Sequence, residues 1–260
     1  MYAIEPKQIQ DDAERAGIPR GRLRVPEAVV LTFSETVESQ LIELGAMHEW
    51  NWPGWQFCPY SSPARSYLGS VNGIEAALIV PPMGASPVIA LCEELAHFGS
   101  RLFLLLCASW SLGEDCLARG QIQVPSFAVG LDGTSPHYGN KGFEARADEA
   151  TFEAFSCSLR EMGASWKEGG VGSCEAIYRI TSDMIEDHRS MGCLSMENGE
   201  TAALFSFASQ KGFNVGVLLQ PYIDLTQGWT VSYMDETYRR TCLLQAEAAA
   251  RTIEKLHERS

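Results

Sequence analysis

The sequence predicts an α/β fold of one domain, with a central mixed, twisted sheet flanked by helices. Three observations predict it. Short apolar runs of strand length alternate with stretches of helical periodicity. The 260 residues suffice for one large core. No internal repeat, low-complexity linker or second domain is visible. Residues 1–24 are polar and charged and read as an N-terminal extension that packs on the domain or a neighbour; residues 25–260 read as the domain.

The elements follow in order. Residues 28–31 are an apolar strand, and 73–80 a hairpin partner and core strand. Ser86-Pro87 suits the start of a helix, with a capping hydroxyl and a proline at the first helical position. Its apolar stripe is Val88, Ile89, Leu91, Cys92 and Leu95, and Gly99 closes it. Residues 102–107 are a continuous apolar run of strand length, and 122–130 form a strand broken by Pro125. A helix is expected over 148–162, ending at Gly163, and a strand over 164–171. A helix over 200–210 stops at Gly212, a buried strand covers 214–219, and a long amphipathic helix runs over 234–257. Trp50, Trp52 and Trp55 flank Pro53-Gly54 too closely for one helix face. They read as a lid or subunit contact, or as a satellite hydrophobic cluster under a loop.

Bulk properties exclude several functions. A formal charge of −13 argues against nucleic acid, whose phosphates want a basic face. No run of 18 apolar residues is present, so no membrane span is expected. The N-terminus lacks an apolar signal core. Eight scattered cysteines, several in apolar runs, suit reduced thiols and a cytoplasmic location. No cysteine–histidine cluster suggests a metal, and no cofactor is implied. The expected partner is a small-molecule ligand.

The most informative stretch is Ser195-Met196-Glu197-Asn198-Gly199-Glu200-Thr201-Ala202-Ala203-Leu204-Phe205. Glu200 stands at the mouth of a helix whose face is Ala, Leu and Phe. A carboxylate there is favoured by the helix dipole, and it can accept hydrogen bonds from two adjacent sugar hydroxyls.

This stretch resembles the Met-Glu-plus-Ala-Ala helix signature of the nucleoside phosphorylase superfamily, which includes uridine phosphorylase, hexameric purine nucleoside phosphorylase and nucleosidases. Other pieces resemble the family in the same order, from about residue 25 to 256. Pro82-Met83-Gly84-Ala85-Ser86-Pro87 looks like its Gly-Met-Gly-Gly-Pro-Ser turn, and residues 102–112 like its Arg-Val-Gly-Thr-Cys-Gly-Gly strand and loop. Asp132-Gly133-Thr134-Ser135-Pro136-His137-Tyr138 is similar to Glu-Gly-Thr-Ser-x-His-Tyr. Cys174-Glu175-Ala176-Ile177-Tyr178 is similar to Ser-Asp-x-Phe-Tyr. The resemblance implies a nucleoside-phosphorylase-like fold and a homodimer or higher oligomer. It implies that Glu200 holds ribose hydroxyls and that Asp224 falls near the acid protonating a leaving purine. It also implies a pocket bounded by Met83, Gly84, Ser109, Trp110, Tyr178, Asn198 and Glu200, with Asp224 at its rim.

The departures matter as much. Asn198 falls where another family carboxylate sits, and Gly199 where a methionine lines the sugar. The family's phosphate motif Gly-Asp-Pro-x-x-Arg is replaced by Thr32-Phe33-Ser34-Glu35-Thr36, and its next arginine by Leu105. Cys107-Ala108-Ser109-Trp110-Ser111 replaces Gly-Thr-Cys-Gly-Gly, with Trp110 filling space where backbone amides approach phosphate. The neighbouring-subunit arginine would fall near Ser62, with only Arg65 close. A phosphate dianion withdrawn from water needs several charge-assisted donors. Ile177 replaces the base-stacking phenylalanine, and the Gln-x-Arg that reads uracil is missing. Trp110, His137, Tyr178 and Tyr222 then line a larger apolar cavity or fill core. The expected function is phosphate-independent cleavage of an N-glycosidic bond in a nucleoside or nucleoside-like molecule, with Glu200 and Asp224 as the catalytic pair. The alternatives are an enzyme repurposed for another reaction in specialised metabolism, and a non-catalytic binding or storage protein.

Overall fold

The computed structural model describes residues 3–58, 60–130, 132–140, 144–228 and 235–259. In chain order the elements are α1 (Lys7–Arg15), β1 (Ala28–Thr32), α2 (Glu35–Leu44), β2 (His48–Glu49), β3 (Arg65–Val71), β4 (Ile74–Val80), α3 (Ala85–His97), β5 (Leu102–Ser111) and β6 (Ile122–Val129). Then come β7 (Glu144–Arg146), α4 (Glu149–Glu161), β8 (Trp166–Ser173), α5 (Ser182–Ser190), β9 (Cys193–Glu197), α6 (Glu200–Lys211), β10 (Asn214–Asp224) and α7 (Glu236–His257). Short 3-10 turns cover Pro53–Phe57, Ser135–Tyr138 and Ile177–Arg179.

The ten strands of the described residues join one mixed sheet, ordered β10-β6-β8-β9-β5-β1-β4-β3-β2, with β7 on β6. β5 also pairs with β10, so β5, β10, β6, β8 and β9 close a circuit of paired strands. Side chains alternate across the sheet as strand geometry requires. Val29, Leu31, Phe103, Leu105, Val215 and Val217 join α3 and α6 on one face. Val30, Leu102, Leu104, Leu106 and Leu218 join α2, α4 and α7 on the other. Both faces are covered, which is why these strands read as unbroken apolar runs. The long last helix lies on the outside of the sheet as expected; Met234, its expected start, lies outside the described residues. The N-terminal segment packs on the domain through Ala13 and Leu23, which are buried in the first core, and the Leu23 carbonyl accepts from Trp52 Nε1 at 3.0 Å. The three tryptophans pack together with Phe98, the arrangement of a hydrophobic cluster.

Several boundaries differ from expectation. α3 starts at Ala85 behind Gly84, so Ser86 and Pro87 lie inside the first turn and Ser86 does not cap. Gly84 has φ +115°, a region that favours glycine, and this sets the turn. Pro125 does not break β6; a bulge between Pro125 and Phe127 absorbs it. The segment Cys107–Ser111, expected as a loop, continues β5, because β10 stays paired beside it from Asn214 to Asp224. That extension also places Asp224 inside a strand. α2 and α5 went unpredicted; Ser34 and Thr181 cap them.

Candidate functional site

The carboxyl ends of β4, β6, β8 and β9 meet around the start of α6 at Glu200, with Cys107 of β5 beside it, and ligands of α/β sheets commonly bind at strand carboxyl ends. β9 delivers Met196 and Glu197, Gly199 turns the chain, and α6 begins at Glu200. Gly199 has φ +107°, and a Cβ there would lie 2.7 Å from Asp132 Cβ, so only glycine fits. Asp132 accepts from Thr134 N, Ser135 N and Ser135 Oγ at 2.9, 2.7 and 2.7 Å, and this turn after β6 lies against Gly199 at the start of α6.

Glu200 is buried, and its Oε1 accepts the Gly84 amide at 2.9 Å. The resemblance therefore identified a real juxtaposition: the Met83-Gly84 turn and Glu200 are in contact although 116 residues apart. Asn198 is half-buried in the same turn, while the Met83 side chain is 64% exposed.

Sequence reasoning missed Glu197 as a site residue. Its Oε1 accepts from Gly199 N at 2.9 Å, its Oε2 from Glu200 N at 3.0 Å, and both oxygens lie 3.4 Å from Thr201 N. Ser173 Oγ donates at 3.4 Å from the end of β8. Burial first, then the charge of Glu200 and a hydrogen bond to it, holds the Glu197 carboxyl well above the usual carboxylate range. Burial, with Glu200 and Glu197 adding to it, likewise pushes the Cys107 thiol well up. The signal available in the sequence was its place in an apolar strand end, followed by a helix N-terminus with exposed amides.

The remaining expected site residues lie in the core or at the surface. Ser109 is fully buried in β5, its Oγ 3.4 Å from the Gln220 carbonyl. Trp110 is 4% exposed and packs with Val129, Cys174, Met196 and Ile223; its Nε1 donates to Tyr222 Oη at 2.8 Å. Trp110 is thus a core side chain, and Ile177 and Tyr222 pack against the same cluster. His137 is exposed, and Tyr178 is 88% exposed. Asp224 accepts from Thr226 N and Oγ1 at 2.8 and 2.7 Å and lines a cavity of about 230 Å³ with Ser111, Leu117, Arg119 and Tyr222. Asp224 pairs with Ser111 in the sheet. Ser111 is four residues, about 13 Å, beyond Cys107 along β5. The two expected catalytic carboxylates therefore stand in different places.

The positions matched to the phosphate motif hold no cation. Thr32 is fully buried and donates to the Leu106 carbonyl at 2.9 Å, and Leu105 is fully buried. Arg65 is held by Glu38 through Nε and one terminal nitrogen at 2.6 and 2.7 Å, and Tyr67 Oη donates to the same carboxylate at 2.8 Å. Among the described residues no metal-binding cluster is present, and no helix is long and apolar enough to cross a membrane.

Comparison with known proteins agrees with this architecture. Uridine phosphorylase of Klebsiella aerogenes is 27% identical over 204 residues, covering 72% of this chain and 80% of its own. Uridine phosphorylase of Escherichia coli is 26% identical over 186 residues, covering 65% and 72%. The crystal structure of purine nucleoside phosphorylase from Toxoplasma gondii in complex with immucillin-H superposes with a TM-score of 0.80 at 15% identity, covering 92% of this chain and 94% of that one. The sequence profile of the phosphorylase superfamily matches residues 28–255. With its residues, its fold and its profile in agreement, the chain belongs to the phosphorylase superfamily as a divergent member.

Proposed function

We propose that this protein is an enzyme that cleaves the N-glycosidic bond of a nucleoside or nucleoside-like small molecule, with water in place of phosphate. The observation that supports the reading is a contrast. Glu200, the carboxylate that would take sugar hydroxyls, is kept, buried and bonded to Gly84, while uncharged, buried Thr32 and Leu105 occupy positions where the resemblance expects phosphate-binding residues. The relatives named above are phosphorylases by name, which supports glycosidic chemistry on this fold; the departure proposed concerns the nucleophile.

In this reading the Glu200 carboxylate, held at Oε1 by the Gly84 amide, accepts the sugar's vicinal hydroxyls. Those bonds strengthen as positive charge builds on the sugar, which is where stabilisation speeds bond cleavage. Asp224 would reach a leaving base only if the ligand extended past Trp110 into the neighbouring cavity. A homo-oligomer in the cytoplasm belongs to the proposal; Met83, Tyr60 and Tyr178, large and exposed, are the apolar side chains such an interface would cover. Sedimentation of the purified protein measures the oligomer.

The test of the chemistry is release of free base from a nucleoside panel with and without phosphate. Equal release in both is expected. Phosphate-stimulated turnover at an ordinary enzyme rate, about 1 per second or more, overturns the reading. A tightly held ligand that is never turned over would favour the binding-protein alternative, to which the filled core around Trp110 already lends weight.

A further inference from the structure

We propose that the cavity at the carboxyl ends of β5 and β10 is a ligand site in its own right, separate from the Glu200 turn, and that it takes a compact protonated amine with an apolar body.

The shape carries the first part. The cavity measures about 230 Å³, and Glu200 is not among the residues that line it. Bonds within the chain fix both of its walls. On the β5 side, Ser111 Oγ lies 2.8 Å from the carbonyls of Gly113 and Leu117. Arg189 donates to the Leu112 carbonyl at 2.6 Å, and Lys167 Nζ to the carbonyls of Asp115 and Cys116 at 2.9 Å. On the β10 side, Asp224 accepts from Thr226 N and Oγ1, which closes its own turn. Leu225 N donates to the Ser111 carbonyl at 3.0 Å and ties the two walls together. A cleft braced in this way is formed before a ligand arrives, so binding carries little ordering cost.

The lining carries the second part. Leu117, Pro221 and Ile223 are buried and present an apolar surface. Three charged residues join them: Glu114, Asp224 and Arg119. Arg119 is engaged by Asp235 in an ion pair, and the neighbouring Arg189 pairs with Asp115 at 2.7 Å. Among the described residues neither Glu114 nor Asp224 enters an ion pair. Thr226 orients the Asp224 carboxylate through neutral donors and leaves its charge in place. Two carboxylates without a cationic partner, set beside an apolar surface, disfavour an anion and suit an ammonium group. The formal charge of −13 on the whole chain draws cations toward such a cleft. Among the described residues no metal-binding cluster is present, and the apolar lining suits a carbon body rather than a bare ion. At about 230 Å³ the cavity falls just below the roughly 300 Å³ at which pockets for drug-sized ligands begin, which limits that body to about one ring.

Calorimetric titration of the full chain with benzylamine, benzyl alcohol and benzoate tests this, because the three probes match in size and differ in charge. Benzylamine is expected to bind with a Kd of about 1 mM or tighter, about tenfold or more ahead of benzyl alcohol, and benzoate is expected not to bind. Glu114→Gln and Asp224→Asn should each weaken benzylamine about tenfold, the size of one charge-assisted hydrogen bond, and leave benzyl alcohol within about twofold. Glu114 is exposed, so Glu114→Gln keeps the fold and the test. No binding of benzylamine, equal binding of all three probes, or an equal loss of benzylamine and benzyl alcohol in the variants overturns the proposal. Uridine, inosine and adenosine should not displace benzylamine; displacement would make the cavity part of the Glu200 site and overturn its separateness. None of these readouts needs glycosidic cleavage, so failure of the function proposed above leaves the amine site standing.

Discussion

Glu38 and Glu197 are both buried glutamates, and they answer burial in opposite ways. Glu38 meets a guanidinium: Arg65 grips it at two points and Tyr67 at a third, and the bond from Arg65, more than any other cause, holds its carboxyl below the usual range. Glu197 meets Glu200 and three backbone amides, and burial pushes it the other way. The difference shows how this chain uses charge. The arginine nearest in sequence to the expected anion contact is committed to an internal ion pair, while the turn at Glu200 is acidic and, among the described residues, no ion pair reaches its carboxyls. Such a turn suits hydroxyls and repels a phosphate dianion.

The largest expected effect probes the wall beside the acidic turn. Trp110→Ala removes a buried indole and its bond to Tyr222, and should lower stability by about 3–5 kcal/mol, read as a drop in Tm of roughly 10 °C. A negligible loss of stability together with abolished ligand binding would make Trp110 a ligand contact and put the repurposed apolar pocket ahead.

Next comes the clamp. Glu200→Ala removes a charge-assisted acceptor for two hydroxyls and should lower kcat/KM or affinity for a sugar-bearing ligand about 100-fold, near 3 kcal/mol. If kinetics or calorimetry show no change, the acidic turn is not the ligand site.

The pair at Glu38 should behave as structure. Arg65→Ala leaves a buried carboxylate unpaired, but Arg65 is 45% exposed at its side chain, so the expected loss is about 1–2 kcal/mol. The pH dependence separates the two glutamates. The folded value of Glu38 is depressed, so its contribution is complete above the ordinary carboxylate range and is lost as pH falls through the folded value. Arg65→Ala should therefore flatten the acid limb of a Tm–pH curve. The folded value of Glu197 is raised, so its contribution is complete at acid pH and is lost as pH rises toward the folded value. Glu197→Gln should flatten the fall in stability that begins as pH rises above the ordinary carboxylate range. Identical limbs in both variants and the parent protein would dissolve the contrast.

The smallest effect is expected at Asp224→Asn. Its carboxylate bonds locally to Thr226 and lines a cavity that Glu200 does not border, so turnover should change less than about threefold, well below the hundredfold or more typical of a general acid. A loss of that larger size would bring the cavity beside Tyr222 into the active site.

By itself the sequence determined the family and most of the periodic elements, α2 and α5 excepted. Val29 to Leu31, Leu102 to Leu106 and Val215 to Leu219 are strands because both faces of the sheet are covered, and that demand is written locally as an unbroken apolar run. The Glu200 turn was legible because a helix start with a carboxylate is a short-range pattern, and its motif matched the family. Three things were decided only by tertiary structure. β5 runs on through Trp110 because β10, about a hundred residues later, continues beside it. Arg65 is unavailable to a ligand because Glu38, 27 residues earlier, faces it across α2 and β3. Glu197 is paired with a carboxylate because β8, the Asp132 turn and α6 close around the strand end and exclude water. Each depends on which distant groups share a low-dielectric space, and no local pattern of residues encodes that.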